Sequence, residues 1–280
     1  MPRVSFVVSL PLNLYYHLHL SCGTHPALKN EKYRRDFASL VPKDVCKRFS
    51  SLHDQYTFMQ RCFIESLGES RDVSSLSPRF VTWFTRYGKE LKPKLESILQ
   101  TTYKLYEPYW KKRQPELERI RKEIDEMWSH CGDAVFAKIT EITKIPWKRE
   151  AFTTHIVDAL AYGDTTFGES YWSMGVRNAK TSIHSLIHEL VHNNINEAVS
   201  NTCRELDLGR NQWFAMSETF ARLVEMEVTS TVASWAEESL EEKRREAREQ
   251  GFIQFFDAVK ADWPNYIRQL DSYPTIENFI

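Results

Sequence analysis

The chain has no apolar run approaching the roughly 20 residues that a helix needs to cross a bilayer. It has no excess of charge of either sign. Lys and Arg total 37, Asp and Glu total 38, and the net charge of −1 leaves no global field to steer the protein toward nucleic acid or an acidic membrane. It has no Cys-x-x-Cys pair. The five cysteines, Cys22, Cys46, Cys62, Cys131 and Cys203, are widely spaced and odd in number. That pattern argues against a disulfide framework and against a thiolate zinc site, and predicts buried apolar thiols in a reducing compartment. There is no internal repeat, no low-complexity tract and no linker clear enough to divide the chain. The 280 residues are therefore read as one two-lobed domain, with a mostly helical part at 1–146 and a second part at 147–280.

The N-terminus joins a basic start to a short apolar stretch, as a signal peptide would. That stretch is broken by Pro11 and Asn13, and Val4, Phe6, Val8 and Leu10 alternate, so a first β-strand is expected and the protein is expected to be cytoplasmic. Residues 30–110 show mixed three- and four-residue apolar spacings and predict helices, with breaks near Pro42, between Asp72 and Pro78, and near Pro108. From Pro115 to Trp128, Leu117, Ile120, Ile124, Met127 and Trp128 share one helical face. After Pro146 the character changes. "AFTTHIVDALAYG", ending at Gly163, and "ESYWSMGV" read as strands, in a hairpin or side by side. A helix follows over "NAKTSIHSLIHELVHNN", which the asparagines help to end, and then a connector around Gly209. One long helix or two follow from Gln212, the last part so charged that it reads as a solvated face, and one or two short helices broken at Pro264 close the chain. This order predicts an α+β fold, mainly helical, with a small β-sheet packed next to the helix that bears the motif described next.

Ser185 to Ile195 reads "SLIHELVHNNI" and contains His-Glu-x-x-His. Average composition produces that string by chance in about one chain of this length in a hundred. On a helix, His188 and His192 lie one turn apart on one face, where two ring nitrogens can share a Zn²⁺ ion at about 2.0–2.1 Å. Glu189 projects about 100° around the helix. It is poorly placed to chelate and well placed to act as general base on a water beside the metal. Leu186, Ile187, Leu190 and Val191 are uncharged, as a helix beneath a cleft requires.

A catalytic zinc needs a third protein ligand and an open position. Position 198 is Ala and no histidine follows His192, so a downstream third histidine is excluded. Glu218, in "WFAMSETFARLVE", is the best candidate. It lies 26 residues after His192 on a second helix, on a face with Phe214, Ala221 and Glu225. Glu197, Glu225, Asp207 and Cys203 are the alternatives, and His184 reads as a helix-surface residue or one standing behind the ligands.

"HELVH" followed by "SETFA" resembles the gluzincin metallopeptidases, the thermolysin-like group with two histidines and one downstream glutamate. The resemblance spans Ser185 to Glu225, about one seventh of the chain. It implies a zincin-like catalytic region, one zinc per chain bound by His188, His192 and Glu218, and Glu189 activating the water. The chain differs from the usual pattern in carrying Asn193 and Asn194 directly after His192, where apolar residues are more common. Members of the group supply an oxyanion donor from outside the two metal helices. Tyr266 is the candidate here, from a field that includes Tyr162, Tyr171, Tyr273 and His155. They also place an edge strand above the zinc for an extended peptide, a task that "ESYWSMGV" suits. The expected function is zinc-dependent hydrolysis of peptide bonds in a peptide or protein substrate, with no nucleic-acid or membrane partner. The rivals are hydrolysis of a non-peptide amide and a helical interaction protein with a structural metal.

Overall fold

In a computed structural model of the protein, the described residues are 1–24, 41–56, 60–74, 76–77, 88–160, 165–167, 171–175, 178–233 and 239–279. The chain is mainly helical with one small sheet, an α+β fold. Its elements are β1 (Arg3–Val7), α1 (Leu10–Cys22), α2 (Lys43–Tyr56), α3 (Gln60–Gly68), α4 (Gly88–Thr143), β2 (Ala151–Val157), β3 (Thr165–Phe167), β4 (Tyr171–Gly175), α5 (Ala179–Glu205), α6 (Arg210–Val232), α7 (Leu240–Glu249) and α8 (Ile253–Arg268), with short 3₁₀ turns at Leu270–Ser272 and Ile276–Asn278. No described helix is long and apolar enough to cross a membrane. Two compact units interleave along the sequence instead of dividing near residue 146. One comprises residues 1–3, 126–151 and 183–280, the other 4–125 and 152–182.

The second of these units holds nearly all of the sheet. Its strand order is β1-β2-β4-β3, with β2 and β4 parallel (His155 opposite Ser173) and β3 antiparallel to β4 (Thr166 opposite Ser173). The two strands expected side by side are therefore neighbours, but not a hairpin. β4, the described part of "ESYWSMGV", has a strand partner on each side, so it is an inner strand and not the edge strand expected to receive a peptide. The alternation that begins at Val4 stops as a strand at Val7, and a helix follows. Pro11 stands in the first turn of α1, where its missing N–H costs nothing, Ser9 caps the start, and Gly23 ends the helix at φ 66°.

Every residue from Pro11 to Leu20 is buried, so α1 is a core helix with no solvent face. Asn13 is used inside that core. Its amide nitrogen donates to the carbonyls of Ser9 and Ile156, and its oxygen accepts from Asp158 N–H. His155 in β2 is buried against Gly68, where an added Cβ would come within 2.3 Å of the imidazole. Burial pushes the His155 and His17 imidazoles down to about 4.

The expectation of free thiols is corrected here. Cys22 at the end of α1 and Cys46 in α2 form a disulfide, with Cα atoms 5.1 Å apart. Spacing along a chain does not show which cysteines the fold brings together. Such bonds persist in oxidising compartments, so the expected cytoplasmic location loses the support it drew from free thiols. Cys131 and Cys203 are free and buried.

The other unit carries the His-Glu-x-x-His helix. α4 runs through Pro108 without a break, and α8 runs through Pro264. Both expected breaks are corrected by helical context that overrides a local preference. α5 also continues past the asparagines to Glu205. Asn194 is buried in mid-helix, where its Oδ1 accepts from the Thr143 hydroxyl at 2.8 Å and its amide donates to the Ile145 carbonyl at 3.1 Å. The asparagine thus satisfies the end of α4, where Lys144 turns with φ 57°. The connector shrinks to Leu206–Gly209, closed by Leu208 N–H donating to the Cys203 carbonyl at 2.8 Å. Trp213 Nε1 then donates to Ser200 Oγ and lays α6 back along α5.

Candidate metal centre

α5 and α6 bring three donors together. His188, His192 and Glu218 each offer a ligand atom, and these atoms lie within 4.8 Å of one another. The two Nε2 atoms are 3.0 Å apart. Glu218 Oε1 lies 3.3 Å from His192 Nε2, and its Oε2 lies 3.7 Å from His188 Nε2. Ligands about 2.0–2.1 Å from a tetrahedral ion stand about 3.3–3.4 Å from each other. The three separations bracket that value, so the donors fit one Zn²⁺ ion with small adjustments. Among the described residues the group contains these three ligands and no fourth.

Each imidazole is held from behind. His188 Nδ1 donates to Glu225 Oε2 at 3.0 Å. His192 Nδ1 donates to Ser217 Oγ at 3.0 Å, and that hydroxyl donates to Asn196 Oδ1 at 3.1 Å. With a proton on each Nδ1, the Nε2 lone pairs converge where a metal would sit. Arg222, one turn beyond Glu218, donates to Glu218 Oε2 and to its backbone carbonyl.

Burial pushes the Glu218 carboxyl up, but the hydrogen bond from His192 and the charges of His188, His192 and Arg222 outweigh it and hold the group well below the usual carboxylate range. Burial pushes the His192 imidazole down, and the hydrogen bond and charge of Glu218, with the charge of Glu189, turn the net shift upward. Three carboxylates, Glu189, Glu218 and Glu225, thus share the site with two fixed cations, Arg222 and Lys243. The surplus of negative charge suits a divalent ion.

Glu225 and Lys243 form a buried pair. Glu225 has no exposed surface, and Lys243 Nζ lies 2.9 and 3.0 Å from its two oxygens. Burial pushes the Glu225 carboxyl up, while Lys243, His184 and His188 together bring it well below its ordinary value. His184 Nε2 lies against both Glu225 Oε1 and Lys243 Nζ, which places it behind the ligands instead of on the surface.

The remaining candidates lie elsewhere. Glu189 is 7% exposed and close enough in charge to raise His192. Glu197 is solvent-exposed and paired with Lys148. Asp207 is exposed in the connector, and Cys203 is buried against Met216. Tyr266 is corrected as an oxyanion donor. Its ring is fully buried, stacked on Phe279 and tilted on Trp263, and its hydroxyl donates to the Ile142 carbonyl, which commits its one proton to the core. Tyr273 packs on that same ring at 5.3 Å. Tyr162 lies outside the described residues, as does the side chain of Tyr171.

The residues missed in the sequence are those behind the ligands. Arg222 had a signal, since a cation four residues after Glu218 shares its helical face. Lys243 had none, because a lysine in "LEEKRREARE" reads as solvated. Comparison with family models, with curated proteins and with solved structures finds no match to this chain.

Proposed function

We propose that the protein is a zinc-dependent hydrolase of peptide bonds, with His188, His192 and Glu218 as the zinc ligands and Glu189 as the general base. The observation that carries this reading is the convergence of two imidazole nitrogens and one carboxylate within 4.8 Å, without a fourth described ligand. A three-ligand set with an open position is the pattern of catalytic zinc, whereas structural sites are closed by four protein ligands. A bound zinc would supply Lewis acidity, polarising the scissile carbonyl and acidifying water at the open position.

The chain's own groups do the rest. Ser217 and Glu225 fix the two imidazoles, and Arg222 fixes the Glu218 carboxylate. Glu189, buried one residue beyond the first ligand, takes one proton from the attacking water as its oxygen bonds to the carbonyl carbon. It then delivers that proton to the departing amine nitrogen as the C–N bond breaks. The substrate of this reading is a peptide or protein.

The test is Glu189→Gln. The amide keeps the size of the side chain but cannot accept the proton. Zinc content should match the wild type, while cleavage of a peptide library falls at least about 10²-fold. Equal cleavage by both proteins removes Glu189 as the base. Cleavage by neither, with zinc bound, turns the reading toward a metal that serves structure.

A further inference from the structure

We propose that α7 is a clamp on the metal centre, and that Lys243 is the positioning residue through which it sets zinc affinity. This rests on the metal reading above. α7 has the highest share of charged residues among the described helices, and most of its residues are exposed. Lys243 and Ala247 are buried. Lys243, Glu246 and Gln250 fall at i, i+3 and i+7, on one helical face, and that face reaches behind two of the three ligands.

The first reach is through Lys243. Its ammonium donates to both oxygens of Glu225, which accepts from His188 Nδ1. The second is through Glu246 and Gln250. Glu246 Oε2 lies 3.4 Å from Arg222 Nε, and Gln250 Oε1 accepts from Arg222 Nη2 at 3.3 Å, while Arg222 holds Glu218. The capping box of Ser239 and Glu242 fixes the start of the helix, so these three side chains are presented from a formed turn.

A lysine at 3% side-chain exposure is not there for solubility. Its partner, Glu225, is fully buried, and a buried carboxylate persists as an anion only beside a cation. Glu225 Oε2 accepts from His188 Nδ1, which leaves Nε2 as the ligand atom. Without Lys243, the Glu225 carboxylate loses the two hydrogen bonds that fix its position, and the orientation of His188 is no longer enforced. Coupling of this kind is reciprocal. If docking of α7 tightens zinc binding, zinc binding tightens the docking of α7 by the same factor.

The experiment uses the full chain, zinc alone, a competing chelator and amide hydrogen exchange. Wild type should bind about one zinc. Lys243→Met, which keeps the apolar stem and removes the charge, should bind it about 10–100-fold more weakly with unchanged helix content. In the wild type, added zinc should slow amide exchange within Leu240–Glu249. The paired substitution Glu246→Ala with Gln250→Ala, at one half-exposed and one exposed position that spare the core, should also weaken zinc several-fold and covers the case in which Lys243→Met does not fold. Wild-type affinity in the folded variants, or exchange in α7 indifferent to zinc, overturns the clamp and leaves the metal centre standing. A wild-type chain that takes up no zinc overturns the metal reading and the clamp with it.

Discussion

His188 Nδ1 donates to Glu225 Oε2 across 3.0 Å, and Glu225 has no exposed surface. The pair joins the middle of α5 to α6 at a point two turns past Glu218 and one turn past Arg222. It explains why a carboxylate seven residues beyond the ligand is buried at all. Glu225 points away from the converging Nε2 atoms and acts on the metal centre only through the ring of His188.

That geometry orders the carboxylates in zinc affinity. Glu218→Ala removes a ligand and should abolish tight binding. Glu225→Ala leaves three ligands but frees His188 and strands Lys243, and should cost about 10–100-fold. Glu197→Ala removes only an exposed ion pair with Lys148 and should leave affinity unchanged. Chelator competition on the three purified variants reads the order. Loss of zinc in Glu197→Ala with retention in Glu218→Ala would reverse the ligand assignment.

The Cys22–Cys46 bond closes a loop of 24 residues. By loop entropy such a bond stabilises a fold by about 3 kcal/mol. Non-reducing peptide mapping should recover the two cysteines in one linked fragment, with Cys131 and Cys203 open to alkylation after unfolding. Cys22→Ser with Cys46→Ser should lower the unfolding midpoint by several degrees. A map in which both thiols are free would return the protein to the reducing compartment that its cysteine spacing suggests.

Asn194 should be as costly to remove as a core residue. Asn194→Leu leaves the Thr143 hydroxyl with the Ile139 carbonyl as its acceptor and strands the part-buried Ile145 carbonyl, at about 1–3 kcal/mol for that group. Glu197→Leu, at an exposed position on the same helix, is the control. Chemical denaturation of the two variants should separate them clearly, and equal midpoints would show that the link from α5 to the end of α4 carries no stability.

The His188, His192 and Glu218 cluster was legible because metal-binding chemistry asks for a short spacing. Two histidines one turn apart and a glutamate on the next helix leave few other arrangements, and apolar flanks mark the helix as buried. The helix and strand periods likewise placed most elements, including the strands at Ala151–Val157 and Tyr171–Gly175. The misreadings share one cause. Pro108, Pro264, Asn193 and Asn194 were read by local preference, and tertiary contacts overrode each of them. Lys243 was read from its charged neighbours, although only its distance to Glu225, 18 residues away in sequence, gives it a role. The same holds for Cys22 and Cys46. A pairing between two helices leaves no mark on the spacing of either partner.

The pH dependence of stability follows from two histidines that belong to the unit without the proposed ligands. His17 in α1 and His155 in β2 are buried, and burial brings both from an ordinary 6.5 to about 4. Each is neutral in the folded protein throughout the range from 6.5 down to 4, while the unfolded chain takes up a proton there. The unfolded state thus binds more protons in that window, and stability rises with pH across it. The contribution of each ring is complete above about 6.5 and is lost progressively toward 4. One pH unit is worth about 1.4 kcal/mol per proton, so each histidine accounts for about 3 kcal/mol across the window. Denaturant midpoints measured between pH 7.5 and 4 should fall steadily below 6.5. His155→Gln, a neutral polar replacement in the same buried place, should lower stability at pH 7.5 through imperfect packing yet flatten the acid slope by about half. An unchanged slope in that variant would show that the acid sensitivity belongs to other groups.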